Sequence, residues 1–161
     1  MRGMFNEYTA VLGAIGAGRQ TGRNETIVRQ MAKLGIPVVN IGPTENPDVF
    51  IDAALATGAQ AILVSCREGR GQAFCATFRK RCEQRGLTGI SLYVGGQITH
   101  ASQDFSVSEQ ELLGAGFDRV FRPNVDLGQV VDLLKQDVNA KRRPTMSAMP
   151  RSSWLFTDFA N

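Results

Sequence analysis

Imidazole is nearly absent from this 161-residue chain, whose only histidine is His100. No Ser-His-Asp set, paired-carboxylate spacing or metal-ligand cluster can be picked out, so catalysis by the chain alone is not expected. His100 lies on the loop after a glycine pair and reads as an ordinary loop histidine rather than a metal ligand. Cysteine is scarce and unpaired. Cys66, Cys75 and Cys82 form neither a C-x-x-C motif nor a zinc spacing, and an odd count speaks against a disulfide framework. Cys75, Phe78 and Cys82 recur at i, i+3 and i+7, which places them on one apolar helix face as small buried side chains. Cys66, at a strand end, is the thiol to test for reactivity.

Long hydrophobic runs are missing as well. Nothing approaches the ~20 apolar residues of a membrane helix, and the first ten residues hold no secretory core. A cytoplasmic protein with no membrane partner is expected. The net charge of +3 and isoelectric point near 9.0 are mildly basic, with four cations late in the chain at Lys141, Arg142, Arg143 and Arg151. That excess is too small to indicate nucleic acid. The dinucleotide fingerprint G-x-G-x-x-G is also wanting, and no acidic residue closes the second strand pattern to hold a ribose.

What is present is alternation. Residues 8–15 (YTAVLGAI), 35–41, 58–65, 90–94 and 118–121 are short apolar runs suited to buried parallel strands. Helical patterns separate them: Ile27, Val28, Met31 and Leu34; residues 48–57 behind Pro47; residues 74–85, closed by Gly86; a short helix capped by Ser108; and Val130, Val131, Leu134 and Val138. The glycine pair Gly95 and Gly96 is expected to stop the fourth strand. Right-handed parallel crossovers then give an α/β fold, a flavodoxin-like, doubly wound, five-stranded parallel sheet with helices on both faces. With 43% hydrophobic residues, one domain over residues 8–139 is expected. Ligands of such sheets bind outside the carboxyl ends of the strands, here the loops holding GAGRQTGR, SCREGRG and GGQITH. The segment GAIGAGRQTGRN (13–24) is the first of these, a glycine turn feeding a helix N-terminus that suits an anionic or polar ligand.

Several blocks then resemble a known family in the right order: VVNIG (38–42), AILVSCREGRG (61–71), GISLYVGG (89–96) and GFDRVF (116–121). They look like the small cobalamin-binding subunit of glutamate mutase, also called methylaspartate mutase, over residues 8–139. The resemblance implies a cobalamin-binding-type domain and a role as the small subunit of an adenosylcobalamin-dependent carbon-skeleton isomerase. It also implies a large barrel subunit, or a homologous subunit, as partner. In that family a first loop D-x-H-x-x-G supplies a histidine to cobalt, an aspartate to orient it and a glycine past which the nucleotide tail threads. S-x-L and G-G on strands three and four wall the tail pocket.

This chain departs from the motif where the cobalt would be held. Aligned through Gly16 and Asn24, Gly18 stands for the aspartate, Gln20 for the histidine and Arg23 for the glycine. An amide oxygen is a poor cobalt ligand beside imidazole nitrogen, so adenosylcobalamin would have to bind without histidine ligation. S-x-L becomes Ser65-Cys66-Arg67, while Ser65, Gly95 and Gly96 persist. The implied cofactor-binding set is therefore Gly16, Gly18, Gln20, Arg23, Ser65, Arg67, Gly69, Gly95 and Gly96. Arg19, Arg23, Arg67 and Arg70 add four cations to two ligand loops, and guanidinium suits phosphate or carboxylate. The alternative reading is a binding or regulatory subunit that has lost cobalamin and takes an anionic small molecule or a protein partner in a remodelled, arginine-rich pocket. Arg79, by contrast, is expected on an open helix surface. Residues 140–161 read as a basic Pro/Ser-rich tail ending in the aromatic cluster WLFTDF (154–159).

Overall fold

The computed structural model describes residues 8–15, 21–66, 74–99 and 104–142. Five strands, β1 (Ala10–Ile15), β2 (Val38–Pro43), β3 (Ala61–Cys66), β4 (Ser91–Gly96) and β5 (Arg119–Val120), form one parallel sheet in the order β2-β1-β3-β4-β5. The order reverses between β1 and β3, which is the switch point of a doubly wound sheet. The helices are α1 (Thr21–Lys33), α2 (Pro47–Thr57), α3 (Phe78–Gln84), α4 (Phe105–Gly114) and α5 (Leu127–Arg142). The expected flavodoxin-like architecture is what the chain adopts.

Alternation along the strands sorts the core into two layers. Val11, Ile62 and Leu92 point to one face, where they meet Phe50, Ile51, Phe78, Leu112 and Phe117 from α2, α3, α4 and the segment after α4. Leu12, Leu63 and Tyr93 point to the other, against Met31 of α1 and Val131, Leu134 and Val138 of α5. Four rings fill the first layer: Phe50 lies 5.4 Å from Phe74 and 5.7 Å from Phe78, and Phe78 stacks on Phe117 at 6.0 Å. Each fully buried ring contributes about 1.5–3 kcal/mol by removal from water alone. Gly13 belongs to this packing, within β1 rather than in the loop, because a Cβ there would lie 2.5 Å from the Phe50 ring.

Helix ends follow local chemistry. The Asn46 side chain accepts the Asp48 N–H at 2.9 Å, with Pro47 in the first turn, so α2 starts one residue before the expected Asp48. Ser108 is not a cap. The α4 helix begins a turn earlier, at Phe105, and Ser108 is fully buried inside it. Leu34 falls beyond α1 and is 42% exposed, because Gly35 and Ile36 close that helix with bonds to Ala32 O (3.1 Å) and Met31 O (2.9 Å). The same closure delays β2 to Val38, and pairing with Gly13 and Ala14 extends it through Gly42 and Pro43. Thr77, at φ −117°, interrupts the expected 74–85 helix, so its regular part starts at Phe78. Gly95 and Gly96 do not stop β4 but pair in it, opposite Ser65 and Cys66.

The face that carries α1 and α5 is also held by polar ties. Tyr8 Oη donates to Asn139 Oδ1 (3.2 Å) and Lys135 Nζ to Leu34 O (3.1 Å), tying α5 to the segment before β1 and to the turn after α1. Arg119 grips Asp137 with two bonds, at 2.7 and 2.9 Å, and Tyr93 Oη donates to the same carboxylate. That guanidinium, first, and then the Tyr93 hydroxyl hold the Asp137 carboxyl below the usual carboxylate range, while burial and the carboxylate keep Tyr93 protonated. Arg79 is not on an open surface. It spans Gly116 O (3.0 Å), Ile90 O (2.9 Å) and Asp118 (2.9 Å), a fork that ties α3 to the ends flanking β4 and β5.

Candidate functional site: a cavity on the α1/α5 face

At the carboxyl edge the α1/α5 layer opens into a cavity of about 590 Å³. Its floor is sheet: Leu12 of β1, Leu63 and Val64 of β3, and Tyr93 and Val94 of β4. Ser65, Gly95 and Gly96 continue the wall. Successive turns of α1 contribute Arg23, Thr26, Ile27, Gln30 and Met31, and α5 contributes Leu127 and Val130. A lip made by the loop Phe121 to Asp126 closes the third side. The body is apolar and the rim polar, which suits an amphipathic, ring-containing ligand. Phe121 meets Tyr93 edge to face at 5.8 Å, giving the floor an aromatic corner.

The glycine pair has separable reasons. Gly96 holds φ +89°, and a Cβ there would sit 2.5 Å from the Cys66 carbonyl oxygen, so β3–β4 contact alone requires glycine. A Cβ on Gly95 would meet only Phe121, at 3.4 Å. The absence of a side chain at Gly95 therefore enlarges the cavity without being demanded by the backbone.

Charge at the rim is already partly committed. The Arg122 guanidinium lies 4.1 Å from the centre of the Phe105 ring, and Asp126 Oδ2 accepts the Gln129 N–H at 3.2 Å to cap α5. Arg23 is exposed and its Nη2 donates to Pro123 O at 2.8 Å, spanning from α1 to the lip. Beside it on α1, Asn24 is 1% exposed and its Oδ1 has no donor among the described residues.

Of the residues the sequence pointed to, Arg23, Ser65, Gly95 and Gly96 come together around this one cavity. Gly16, Gly18, Gln20, Arg67 and Gly69 lie outside the described residues, as do Arg19, Arg70, His100 and the 154–159 aromatic cluster. The four-arginine cluster is therefore represented here by Arg23 alone. Cys66 is 3% exposed and buried with Cys75 and Cys82, contrary to a reactive strand-end thiol. Contact with the Cys66 thiol and burial push the Cys75 thiol up, and burial pushes Cys82 up to about 11. Sequence reasoning missed Thr26, Gln30 and the lip. The signal lay in Pro123-Asn124 and Asp126, a turn and a helix cap that return the chain beside α1.

No family model matches the chain. It is 42% identical over 130 residues to the glutamate mutase sigma subunit of Yersinia enterocolitica, covering 81% of this chain and 88% of that one. The sigma subunit of Escherichia coli O157:H7 is 41% identical over 137 residues, 85% of this chain and 92% of its own. The chain belongs to the glutamate mutase sigma subunit family. The Clostridium tetani sigma subunit, 38% identical, is covered along 100% of its length. Among solved structures, this sigma-family chain is similar to a cobalamin-binding protein from Desulfitobacterium hafniense (TM-score 0.62, 16% identity, 82% of this chain and 59% of that one). It is similar also to a monomethylamine corrinoid protein from Methanosarcina barkeri (TM-score 0.60, 12% identity, 81% and 59%). The signal receiver domain of the response regulator NarL from Mycobacterium tuberculosis scores 0.58 at 13% identity, over 82% of this chain and 96% of that one. Likeness at such identities concerns the fold alone, and these folds serve both cobalamin binding and signalling.

Proposed function

We propose that this sigma-family chain is the small subunit of a glutamate-mutase-like (methylaspartate mutase-like) isomerase, and that its α1/α5 cavity receives the nucleotide tail of adenosylcobalamin. The observation that supports this most is the cavity. It has a flat apolar floor, an aromatic corner and a polar rim, bounded by Ser65, Gly95 and Gly96, the residues through which the sequence resembles the family's tail pocket. Bound adenosylcobalamin supplies a carbon radical through cleavage of its cobalt–carbon bond. The chain's own residues hold the tail: Leu12, Leu63 and Tyr93 offer the base an apolar surface, while Thr26, Gln30 and Arg23 meet the ribose and phosphate at the rim. With Gln20 at the histidine position, no imidazole of the first loop is available to cobalt, so tail and cavity carry the attachment. Substrate chemistry falls to a large partner subunit, a division of labour consistent with a sequence that offers no catalytic constellation.

Incubation with adenosylcobalamin, with and without a large sigma-partner subunit, followed by desalting, tests the proposal. The expected result is retained corrin absorbance with a base-off spectrum, the tail having left cobalt for the cavity. Retention of a base-on spectrum would show that the tail lies elsewhere. Failure to retain corrin in either mixture would favour the second reading, an anion-binding or regulatory subunit, which the loss of the motif's Asp, His and Gly at Gly18, Gln20 and Arg23 supports.

A further inference from the structure

We infer that Arg23 selects a phosphate-bearing ligand for the cavity, exchanging its contact with the Pro123 carbonyl for the ligand's phosphate oxygens. The inference rests on the tail-pocket reading and deepens it. The position is one where the family motif has glycine, so the guanidinium is a feature of this chain rather than of the motif. It does not fill the space behind it. The cavity keeps about 590 Å³ while Arg23 lies at its rim, 2.8 Å from Pro123 O. A long cation at the rim that leaves the chamber open stands within reach of a ligand seated there.

The rim chemistry singles out this residue. Among the described residues, Arg122 is engaged by the Phe105 ring and Asp126 by the Gln129 N–H, whereas Arg23 meets an exposed neutral carbonyl through one of its five donors. A guanidinium–carbonyl bond in water is weak, and a forked guanidinium–phosphate contact is shorter and stronger, so exchange favours the phosphate. The floor meanwhile accepts a flat apolar base. The ligand class that satisfies both ends is a nucleoside phosphate with an aromatic, uncharged base.

The test uses the full chain and two probes: the dimethylbenzimidazole ribonucleoside 3′-phosphate, and the same nucleoside without phosphate, titrated by calorimetry. Wild type should bind the phosphate form at least about ten-fold more tightly, and raised salt should erode only that advantage. Arg23→Ala should bring the two probes to equal affinity, Arg23→Lys should keep part of the preference, and Lys33→Ala, at the far end of the same helix, should leave it intact. Arg23 is exposed, and unchanged nucleoside affinity in Arg23→Ala reports that the cavity remains folded. If wild type binds both probes equally, or Arg23→Ala keeps the preference, the role of Arg23 is wrong while the cavity reading stands. If wild type binds neither probe, both fall.

Discussion

The two faces of the sheet are built from the same strands and differ in what they leave behind. Over α2, α3 and α4, four phenylalanines close the layer with ring separations of 5.2–6.0 Å, and even Gly13 is fixed by a neighbouring ring. Over α1 and α5 the packing stops short of the carboxyl edge. A cavity remains there, spanned at its rim by the Arg23–Pro123 bond, while the Tyr8–Asn139 and Lys135–Leu34 ties hold the opposite, amino edge. One face is packed throughout, and the other leaves part of its apolar surface lining a cavity. A small binding domain can thus carry a wide chamber because its opposite layer is densely packed.

The contrast is broken most strongly by deleting a ring. Phe78→Ala removes a fully buried side chain at the centre of the aromatic cluster, and a loss of about 3–5 kcal/mol is expected in urea unfolding, with ligand affinity of the surviving native state unchanged. Next comes Asp137→Asn. The carboxylate's partner Arg119 has a side chain 35% exposed, so solvent screens the pair and the cost should be about 1–2 kcal/mol at pH 7. Because the folded carboxyl titrates below its unfolded value, this stabilisation is full above about pH 4 and lost as pH falls through the lower folded value. Wild type and Asp137→Asn should therefore converge in stability in strong acid, and a constant gap across pH would show that the ion pair contributes nothing. The finest comparison puts one methyl on each face. Gly13→Ala drives a Cβ to 2.5 Å from Phe50 and should cost about 1–3 kcal/mol, whereas Gly95→Ala meets Phe121 at 3.4 Å and should cost under about 1 kcal/mol. Equal costs would remove the distinction between a packed and an open face.

Much of this was legible in the sequence. Short apolar runs for the strands and a period of 3.6 for the helices gave the order of elements, because burial on both sides of a parallel sheet leaves near-continuous apolar runs. Ser65, Gly95 and Gly96 could be found because they recur in blocks resembling the family. What stayed hidden depends on approach between distant segments. That Arg79 holds two carbonyls and Asp118 follows from where α3 settles, and Ser108 reads as a cap until the helix begins at Phe105. Cys66 reads as the thiol to test at a strand end until its burial beside Cys75 is seen. The lip of the cavity was missed for the same reason. Phe121 to Asp126 contacts α1 across about 100 positions, as the Arg23–Pro123 bond shows, and no periodicity within either segment reports that meeting.

The seam from Tyr8 to Asn139 has a consequence in time. It joins groups 131 positions apart, and the Arg23–Pro123 bond at the cavity rim joins groups 100 apart, so both wait on closure of most of the chain. The pairing of β1 with β3 and of β3 with β4 spans far shorter loops. During folding, the aromatic layer and central strands can therefore form while α5 is still unplaced, and the ligand chamber is the last compartment completed. Ligand capture then reports the finished molecule more faithfully than any measure of secondary structure.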